Sequence, residues 1–305
     1  MGSKFPPIAL FVYNRIVHTT RTIEALQKNM GASDSTLYIF SDGPRNEADA
    51  EGVAAVRSYV KSIRGFADVI LVEREQNLGL AISLISGINA VLDAHDTIIV
   101  LEDDLVTSPH FLQFMGDSLR YYEHEDQVAS IQGYSFPLGI ALPENYFLRY
   151  TGCWGWSTWR RGWAYFEPDG KKLLDQLNNL DLTKAFDLNG AYPNTRMLES
   201  QVSGNIDSWA VRWHASIFLN NKLNLYPGIS LVKNIGHDGS GVHCGKSKFY
   251  EVDLINRRVE LCSIPVRENR HIAKKLEAYQ RRGHSGIISY FKWKLSSLVL
   301  DWVKP

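Results

Sequence analysis

Residues 97–104 read TIIVLEDD, five residues suited to a buried β-strand followed by the carboxylates of Glu102, Asp103 and Asp104. Three adjacent carboxylates at a strand end repel one another, and a bound hard cation with oxygen ligands relieves that repulsion. A solvated acidic turn, or the N-cap of a helix that enters at Pro109, is the alternative interpretation. The position directly after a buried strand favours the cation site.

Upstream of this stretch, short apolar runs alternate with segments of helical periodicity. We predict strands at 8–14, 36–41, 68–73 and 97–101, and helices at 19–29, 47–63 and 80–93. Strands that are almost wholly apolar are covered on both faces, which indicates a mostly parallel α/β sheet flanked by helices. Open sheets of this kind bind ligands at the carboxyl ends of their strands, so the pattern predicts a nucleotide-sized site there.

Downstream of the acidic triplet the pattern is more varied. We predict a helix at 109–124, strands at 128–134 and 146–150, an aromatic segment at 152–159, a helix after Asn205, an extended segment at 223–233 and a glycine-rich loop at 236–241. No internal repeat or low-complexity linker separates these segments. The sequence therefore predicts one domain over 1–265, with a nucleotide-binding half (1–104) and an acceptor half (105–265), followed by a basic helical tail (266–305).

The composition excludes several classes of protein. The 305 residues include 33 Lys plus Arg and 33 Asp plus Glu, so the formal net charge is zero and no basic field favours nucleic acid. The three cysteines, at 153, 244 and 262, are too scattered for a disulfide framework or a zinc site and fit a reducing compartment. The first residues lack the apolar core of a signal peptide, and no apolar run approaches ~18 residues. These features predict a cytoplasmic protein.

The strand, the acidic triplet and the following PHFLQFM (109–115) resemble the metal-binding DxD region of GT-A glycosyltransferases, in its EDD form. This form is similar to that of N-acetylglucosaminyltransferase I of the N-glycan pathway and of bacterial sugar transferases for surface polysaccharides. Further segments match in the same order, and these are YNR at 13–15, SDG at 41–43, QNLGLA at 76–81, the aromatic segment 152–159 and IDSW at 206–209. The resemblance covers residues 8–243 and implies a GT-A fold that uses a nucleotide sugar.

The resemblance also implies a role for individual residues. Asn14 and Arg15 contact the nucleotide, Asp42 accepts from uracil N3, Asn77 and Gly79 line the base and ribose, Trp156 lies beside the sugar, and Asp207 is the catalytic base. The alternative for Asp207 is the N-cap of the helix that follows it. Position 208 is Ser, where the animal enzyme has a second acidic residue.

For the triplet, the expected roles are metal binding and ribose binding. Asp104 is expected to ligate Mn²⁺ or Mg²⁺, Asp103 to support the ribose, and Glu102 to contact metal-bound waters or the ribose. His237 and His243 flank the glycine-rich loop, where either supplies a nitrogen to the metal or a donor to the diphosphate, or is structural.

The predicted function is a metal-dependent, inverting transfer of a hexose or N-acetylhexosamine from a UDP-sugar to a glycan or lipid-linked glycan. One alternative is a nucleotidylyltransferase acting on sugar phosphates, whose glycine-rich phosphate loop is missing after the first strand, where YNRIVH stands. A second is a non-catalytic carbohydrate-binding protein that uses its tryptophans, which leaves Asp42 and the acidic triplet unexplained.

The C-terminal tail is the most basic part of the chain. Residues 267–305 hold nine Lys plus Arg against Glu268, Glu277 and Asp301. Its last part, 287–303, mixes aromatic, aliphatic and basic residues, a composition suited to a membrane interface. We predict a peripheral membrane contact at the inner face of the cell membrane, and the alternative is an ordinary helix packed on the catalytic domain.

Overall fold

Three successive βα units form the first part of the chain, where the apolar runs predict them. The structure is a computed structural model and describes residues 5–239 and 247–283. The elements of this part are β1 (Ile8–Val12), α1 (Ile16–Gln27), a 3₁₀ turn (Ala32–Asp34), β2 (Thr36–Ser41), α2 (Glu47–Lys61), β3 (Asp68–Glu73), α3 (Leu80–Ala94) and β4 (Thr97–Glu102). The strands β2 and β3 have the bounds that the sequence predicts.

The second part has shorter elements and more helices than the sequence pattern indicates. They are β5 (Leu105–Thr107), α4 (Phe111–Tyr121), β6 (Val128–Gln132), β7 (Asn145–Leu148), β8 (Trp156–Trp159), α5 (Arg160–Trp163), α6 (Gly170–Asn179), α7 (Thr183–Phe186), α8 (Asn194–Val202), α9 (Trp209–Leu219), β9 (Leu223–Pro227) and β10 (Val232–Asn234). A further helix occupies 270–283.

The central sheet has the strand order β3-β2-β1-β4-β8-β6-β9-β7, and β5 pairs with β10 in a separate ribbon. The first four strands in this order run parallel, whereas β8 is antiparallel to both of its neighbours. This confirms the predicted mostly parallel α/β sheet with flanking helices. Because α1 leads from β1 to β2 on one side while β4 lies on the other, a crevice opens at the carboxyl ends of β1 and β4.

Both faces of the sheet are buried at its central strands β1 and β4, as continuous apolar strands require, whereas the edge strand β3 is only half-buried. In β1 the alternate residues Ile8 and Leu10 face one apolar cluster, and Ala9 and Phe11 face another. Burial of each of the larger side chains, Ile8, Leu10 and Phe11, contributes about 2 kcal/mol through loss of apolar surface from water. The site at the strand ends is therefore built on a rigid scaffold.

Trp156, which the resemblance places beside the sugar, lies in the protein core instead. It is 0% exposed. Its ring stacks on Trp209 at a centroid distance of 5.7 Å and also contacts the rings of Trp163 and Trp213. A ring covered by protein aromatics has no face left for a sugar, so Trp156 contributes packing energy and does not contact a ligand.

His214 is buried in the interior of α9 and is held in its neutral form. The Thr151 amide donates to Nδ1 at 3.3 Å, which leaves the proton on Nε2. The ring stacks on Phe186 at 4.8 Å. Burial, together with the nearby Arg149 charge, lowers the pKa of His214 from 6.5 to about 3.

The stability of the fold is therefore expected to fall below pH 6.5. The unfolded chain takes up a proton at His214 near pH 6.5, whereas the folded chain does so only near pH 3, so stability is complete above 6.5 and declines as pH falls. The expected slope is about 1.4 kcal/mol per pH unit. Urea unfolding across this range should give a shallower slope for His214→Asn, and an unchanged slope for the same substitution at the exposed His124.

Helix 270–283 packs on the domain through one apolar face. Ile272, Leu276 and Tyr279 are buried in the main core cluster, and the Tyr279 hydroxyl donates to the Phe249 carbonyl. This is the arrangement of an ordinary packed helix for the start of the predicted tail, while the interfacial segment 287–303 lies outside the described residues. Within the residues that the structure describes, no helix is long and apolar enough to cross a membrane.

Candidate active site at the carboxyl edge of the sheet

The ends of β1 and β4 are joined by a cluster of ionised side chains. Arg15, directly before α1, donates from Nη2 to a carboxylate oxygen of Asp103 and to Asp104 Oδ2, the latter at 2.8 Å. Thr22 of α1 donates to the Asp103 carbonyl at 2.8 Å. The neighbouring position of the two strands brings these residues together, so the predicted nucleotide-contacting Arg and the acidic triplet belong to one site.

The cluster has more negative than positive charge. Burial raises the pKa of Glu102 to about 8, and the Asp104 and Asp103 carboxylates add to the increase. Burial also raises the pKa of Asp103 to about 6, with Arg15 acting in the opposite direction. Burial disfavours the Arg15 charge, but the two Asp carboxylates raise the pKa of Arg15 above its usual value. Its raised pKa keeps Glu102 largely protonated at neutral pH, but one guanidinium still faces both Asp103 and Asp104, so a further cation is favoured here.

The segment after β10 approaches Asp104 closely. A Cβ at Gly236 would lie 2.1 Å from Asp104 Oδ2, so only glycine permits this approach. His237 follows, half-buried, and its Nε2 is enclosed with no hydrogen-bond partner among residues 5–239 and 247–283. Burial lowers the pKa of His237, partly offset by Asp104, so the ring has a neutral nitrogen to offer. His243, the other predicted histidine, lies outside the described residues.

Two residues of this region were not predicted individually, although Trp154 belongs to the predicted aromatic segment. His18 lies in the first turn of α1, and its Nε2 is 3.2 Å from Asp238 Oδ2, so α1 contacts the glycine-rich loop. Trp154 is half-buried, with its ring centroid 5.3 Å from that of His237. For His18 the signal was its place three residues after Arg15, but the predicted helix at 19–29 begins after it. The aromatic segment indicated a tryptophan at the site, but it did not show whether that residue is Trp154 or Trp156.

Asp42, at the end of β2, connects two loops through backbone hydrogen bonds. Its carboxylate accepts from the amides of Gly43, Leu78 and Gly79 at 3.0 to 3.1 Å. Asn77 reinforces the connection by donating to the Gly43 carbonyl at 2.8 Å. Asp42 is 7% exposed. These contacts fix the conformation of the loop before α3. Asp42 therefore has a structural role in addition to the predicted contact with uracil.

Removal of the Asp42 carboxylate is expected to destabilise the fold. Asp42→Ala leaves three backbone amides without their acceptor, and a net loss of roughly 3 kcal/mol follows from the usual strength of hydrogen bonds to charged groups. Asp42→Asn keeps one acceptor oxygen and should lose less. Urea unfolding measures the change, and hydrogen exchange at the Leu78 and Gly79 amides locates it. A loss below ~1 kcal/mol for the Ala variant would contradict this interpretation.

Asn14 has a structural contact at the same edge. Its amide donates to Asp49 Oδ1 at 2.8 Å, and the Tyr13 hydroxyl donates to Asp49 Oδ2 at the same distance. Both side chains therefore fix the first turn of α2 to the end of β1. A direct contact of Asn14 with nucleotide stays a prediction.

Asp207 lies beside the loop that Asp42 holds. A Cβ at Gly79, which has a φ of +76°, would lie 3.8 Å from Asp207 Oδ2. The N-cap of α9 is Ser208, whose side chain accepts from the Val211 amide. The alternative in which Asp207 is the N-cap of this helix is therefore wrong. Ser208 has that role, which explains a Ser at this position. Asp207 is 58% exposed and Arg212 contacts its Oδ1 at 3.5 Å.

The acidic cluster has oxygen atoms suited to a divalent cation. Among residues 5–239 and 247–283 no three His, Cys, Asp or Glu side chains form a complete protein cage for a metal. Mg²⁺ and similar ions, however, use one or two carboxylates together with the phosphates of a substrate. Asp103 Oδ2 is enclosed and has no hydrogen-bond partner in the described part of the chain. The oxygen donors present therefore fit a cation that is shared with a diphosphate.

Comparisons with known proteins gave matches to solved structures alone. No protein family model and no curated protein matches the chain. It is similar to the mannosyltransferase PcManGT from Pyrobaculum calidifontis in complex with GDP-Man and Mn²⁺, at 10% identity and a TM-score of 0.38 over 71% of this chain and 75% of that chain. It is also similar to TarS from S. aureus, at 13% identity and a TM-score of 0.31 over 46% of this chain and 23% of that chain.

A further match is TarS 1–349 from S. aureus in complex with UDP-GlcNAc. The identity is 11% and the TM-score 0.35, over 57% of this chain and 47% of that chain. These values are too low to transfer an activity.

Proposed function

We propose that the chain is a GT-A glycosyltransferase that moves a sugar from a nucleotide donor to a hydroxyl acceptor. The observation that carries the proposal is the presence of two different carboxylate sites at one sheet edge. One is the enclosed, Arg15-paired acidic cluster at the end of β4, and the other is the exposed Asp207 beside Gly79. Transfer needs these two functions, which are charge compensation at a diphosphate and a base at the acceptor.

The donor would lie across the carboxyl ends of β1, β2 and β4. In this proposal Arg15 binds the diphosphate, Asp103 and Glu102 bind the ribose, and the loop of Asn77 and Gly79 lines the base. Trp154 takes the place of Trp156 beside the sugar, because its ring is half-buried next to His237. UDP is the expected nucleotide, and an N-acetylhexosamine or a hexose is the expected sugar.

Asp104 and His237 are the residues that would hold Mn²⁺ or Mg²⁺. Such an ion supplies Lewis-acid stabilisation of the charge that develops on the leaving diphosphate. The chain's own contribution is to arrange the site: Gly236 allows Asp104 to approach the segment after β10, and burial keeps the His237 ring neutral. Carboxylate oxygens and a neutral imidazole are suitable donors for these ions.

Asp207 is the proposed base of an inverting transfer. Its Oδ2 takes the proton of the acceptor hydroxyl while the acceptor oxygen forms a bond to the anomeric carbon. The bond from that carbon to the phosphate oxygen breaks, and its electron pair leaves with the nucleoside diphosphate. The acceptor is a glycan or a lipid-linked glycan in this proposal, and the anomeric configuration inverts because the two bonds are on opposite faces.

The proposal is tested by incubation with Mn²⁺ and a panel of UDP-GlcNAc, UDP-Gal, UDP-Glc and GDP-Man. Slow donor hydrolysis to free nucleoside diphosphate and sugar is expected for one member of the panel, since water replaces the missing acceptor. A nucleotidylyltransferase would instead form pyrophosphate from a nucleoside triphosphate and a sugar phosphate. A carbohydrate-binding protein would bind glycans and turn over none of these compounds, and either result would overturn the proposal.

A peripheral membrane contact would bring a lipid-linked acceptor to this site, and a cytoplasmic location is part of the same proposal. Helix 270–283 supports it, because its apolar face is used for packing and its outer face is basic. The exposed basic residues are Arg267, Arg270, Lys274, Arg281 and Arg282. Arg270, Lys274 and Arg281 fall on one side of the helix by the 100° rotation per residue, and Arg267 lies just before its first residue. Such a face is attracted to anionic lipid headgroups by about 1 kcal/mol per residue.

Sedimentation with vesicles tests the membrane contact. The full chain is expected to sediment with phosphatidylcholine vesicles that contain phosphatidylglycerol, and to be released by salt. Substitution of Arg270, Lys274, Arg281 and Arg282 by Gln should weaken binding at least ~10-fold. A control with Lys61 and Lys171 changed to Gln should bind as the natural chain does. Equal binding to pure phosphatidylcholine, or no binding at all, would contradict the proposal.

A further inference from the structure

Arg212 is a buried arginine that no part of the proposed chemistry uses. It lies one turn into α9, and its side chain is 10% exposed. Its Nε donates to the Ser208 carbonyl and its Nη1 to the Pro168 carbonyl, both at 3.1 Å. These two contacts fix the plane of the guanidinium and leave Nη2 directed at Asp207 Oδ1, at 3.5 Å.

The two oxygens of Asp207 have different surroundings. Oδ1 faces Arg212, whereas Oδ2 lies towards Gly79, at the loop before α3. Among the described residues, Arg212 is the one hydrogen-bond partner of the Asp207 side chain. The arrangement holds one oxygen and leaves the other available.

We propose that Arg212 is a positioning residue that holds the Asp207 carboxylate with Oδ2 directed at the acceptor hydroxyl. This inference rests on the proposed function, in which Asp207 is the base. An exposed Asp side chain on its own samples several rotamers, and only some of them place Oδ2 beside Gly79. A base must lie within hydrogen-bond distance of the proton that it removes, so a fixed rotamer increases the fraction of productive complexes.

The pairing differs from an ordinary surface ion pair, because one partner is buried and held by two carbonyls. A surface pair orders two flexible side chains and contributes little. Here the guanidinium is already fixed by the fold, so the pair costs only the side-chain conformational entropy of Asp207, which is a short side chain. Burial lowers the pKa of Arg212, and the Asp207 carboxylate acts in the opposite direction, as expected for a buried cation with one nearby anion.

A double-mutant cycle on donor hydrolysis tests this inference. With Mn²⁺ and the panel of UDP-GlcNAc, UDP-Gal, UDP-Glc and GDP-Man, Arg212→Gln is expected to lower kcat roughly 10-fold and to leave the donor KM within about twofold. Arg212→Lys should recover part of kcat, and added guanidinium should rescue the Gln variant. In an Asp207→Asn background, Arg212→Gln should have no further effect, because the residue acts through Asp207.

The outcomes separate this inference from the proposed function. If Asp207→Asn is nearly inactive while Arg212→Gln turns over like the natural chain, Arg212 has no positioning role, whereas Asp207 remains the proposed base. If Asp207→Asn itself keeps full turnover, the base assignment fails first. Additive losses in the double variant, or no guanidinium rescue of a variant that is folded by circular dichroism, show that Arg212 is only structural. Arg120→Gln, at an exposed ion pair with Asp117, is the matched control and should change nothing.

Discussion

Replacement of Asp207 by Asn is expected to leave donor binding unchanged and to slow turnover roughly 10²-fold or more. The side chain keeps its shape, but a carboxamide is far less basic than a carboxylate and does not take up the proton of the acceptor hydroxyl. The fold should be unaffected, because Ser208 is the N-cap of α9 and Asp207 is 58% exposed. Binding and chemistry are separated by titration calorimetry with UDP and Mn²⁺ beside measurements of donor turnover.

The matched control for this variant is Asp96→Asn. Asp96 is an exposed carboxylate that also pairs with an arginine, Arg160, at 3.3 Å, but it lies at the start of β4, the opposite end of the strand from the acidic triplet. It should turn over like the natural chain. Near-natural turnover of Asp207→Asn would remove the main support for an inverting mechanism, and NMR of the product anomer tests the stereochemistry independently.

The nucleotide-binding half could be predicted almost completely from the sequence. Runs such as Asp68–Glu73 and Thr36–Ser41 are apolar, β-branched and bounded by polar residues, so strand identity and bounds follow from local composition. The parallel arrangement follows because helices connect the strands. The same logic predicts which residues stand at the carboxyl edge of the sheet, and Arg15, Asp103 and Asp104 do meet there.

The helices α6, α7 and α8 were missed because they are short and stabilised by one another. Leu173, Phe186 and Leu198 from these helices form a buried cluster with Val211 and Phe218 of α9. Helices of this length have little intrinsic stability, so tertiary packing decides whether they form. The sequence did contain one indication of a helix start, because Asp169 is the N-cap of α6 and accepts from the Lys171 and Lys172 amides.

Side-chain partners within the site could not be predicted, because they depend on which loops approach one another. Asp42 is a strand-end carboxylate like Asp104, yet its oxygens bind backbone amides of a loop more than thirty residues away. Trp156 and Trp154 are equivalent by composition, but Trp156 is 0% exposed within the strand β8, whereas Trp154 precedes it. Packing of the sheet decides which of the two tryptophans is buried, and residue type alone does not predict this.

Replacement of Asp104 by Ala is expected to abolish Mn²⁺-dependent binding of UDP while the fold survives. Asp104 lies against Gly236 and is the charge partner of His237, so its loss removes one of the few carboxylates available to the ion. Affinity in the presence of Mn²⁺ should fall at least roughly 10²-fold, because loss of a direct ligand should cost no less than loss of an outer-shell partner. Titration calorimetry with UDP, with and without Mn²⁺, measures it independently of turnover.

The fold survives because Arg15 keeps a second partner. With Asp104 gone, the guanidinium still pairs with Asp103, so the buried cation is not left without a countercharge. Asp117→Ala, which removes a carboxylate from exposed ion pairs, is the control and should bind UDP normally. Natural affinity in Asp104→Ala with Mn²⁺ present would exclude Asp104 as a ligand. If the variant loses the same factor in UDP affinity with and without Mn²⁺, the role of Asp104 is instead to orient Arg15. An effect on the guanidinium alone does not depend on the metal.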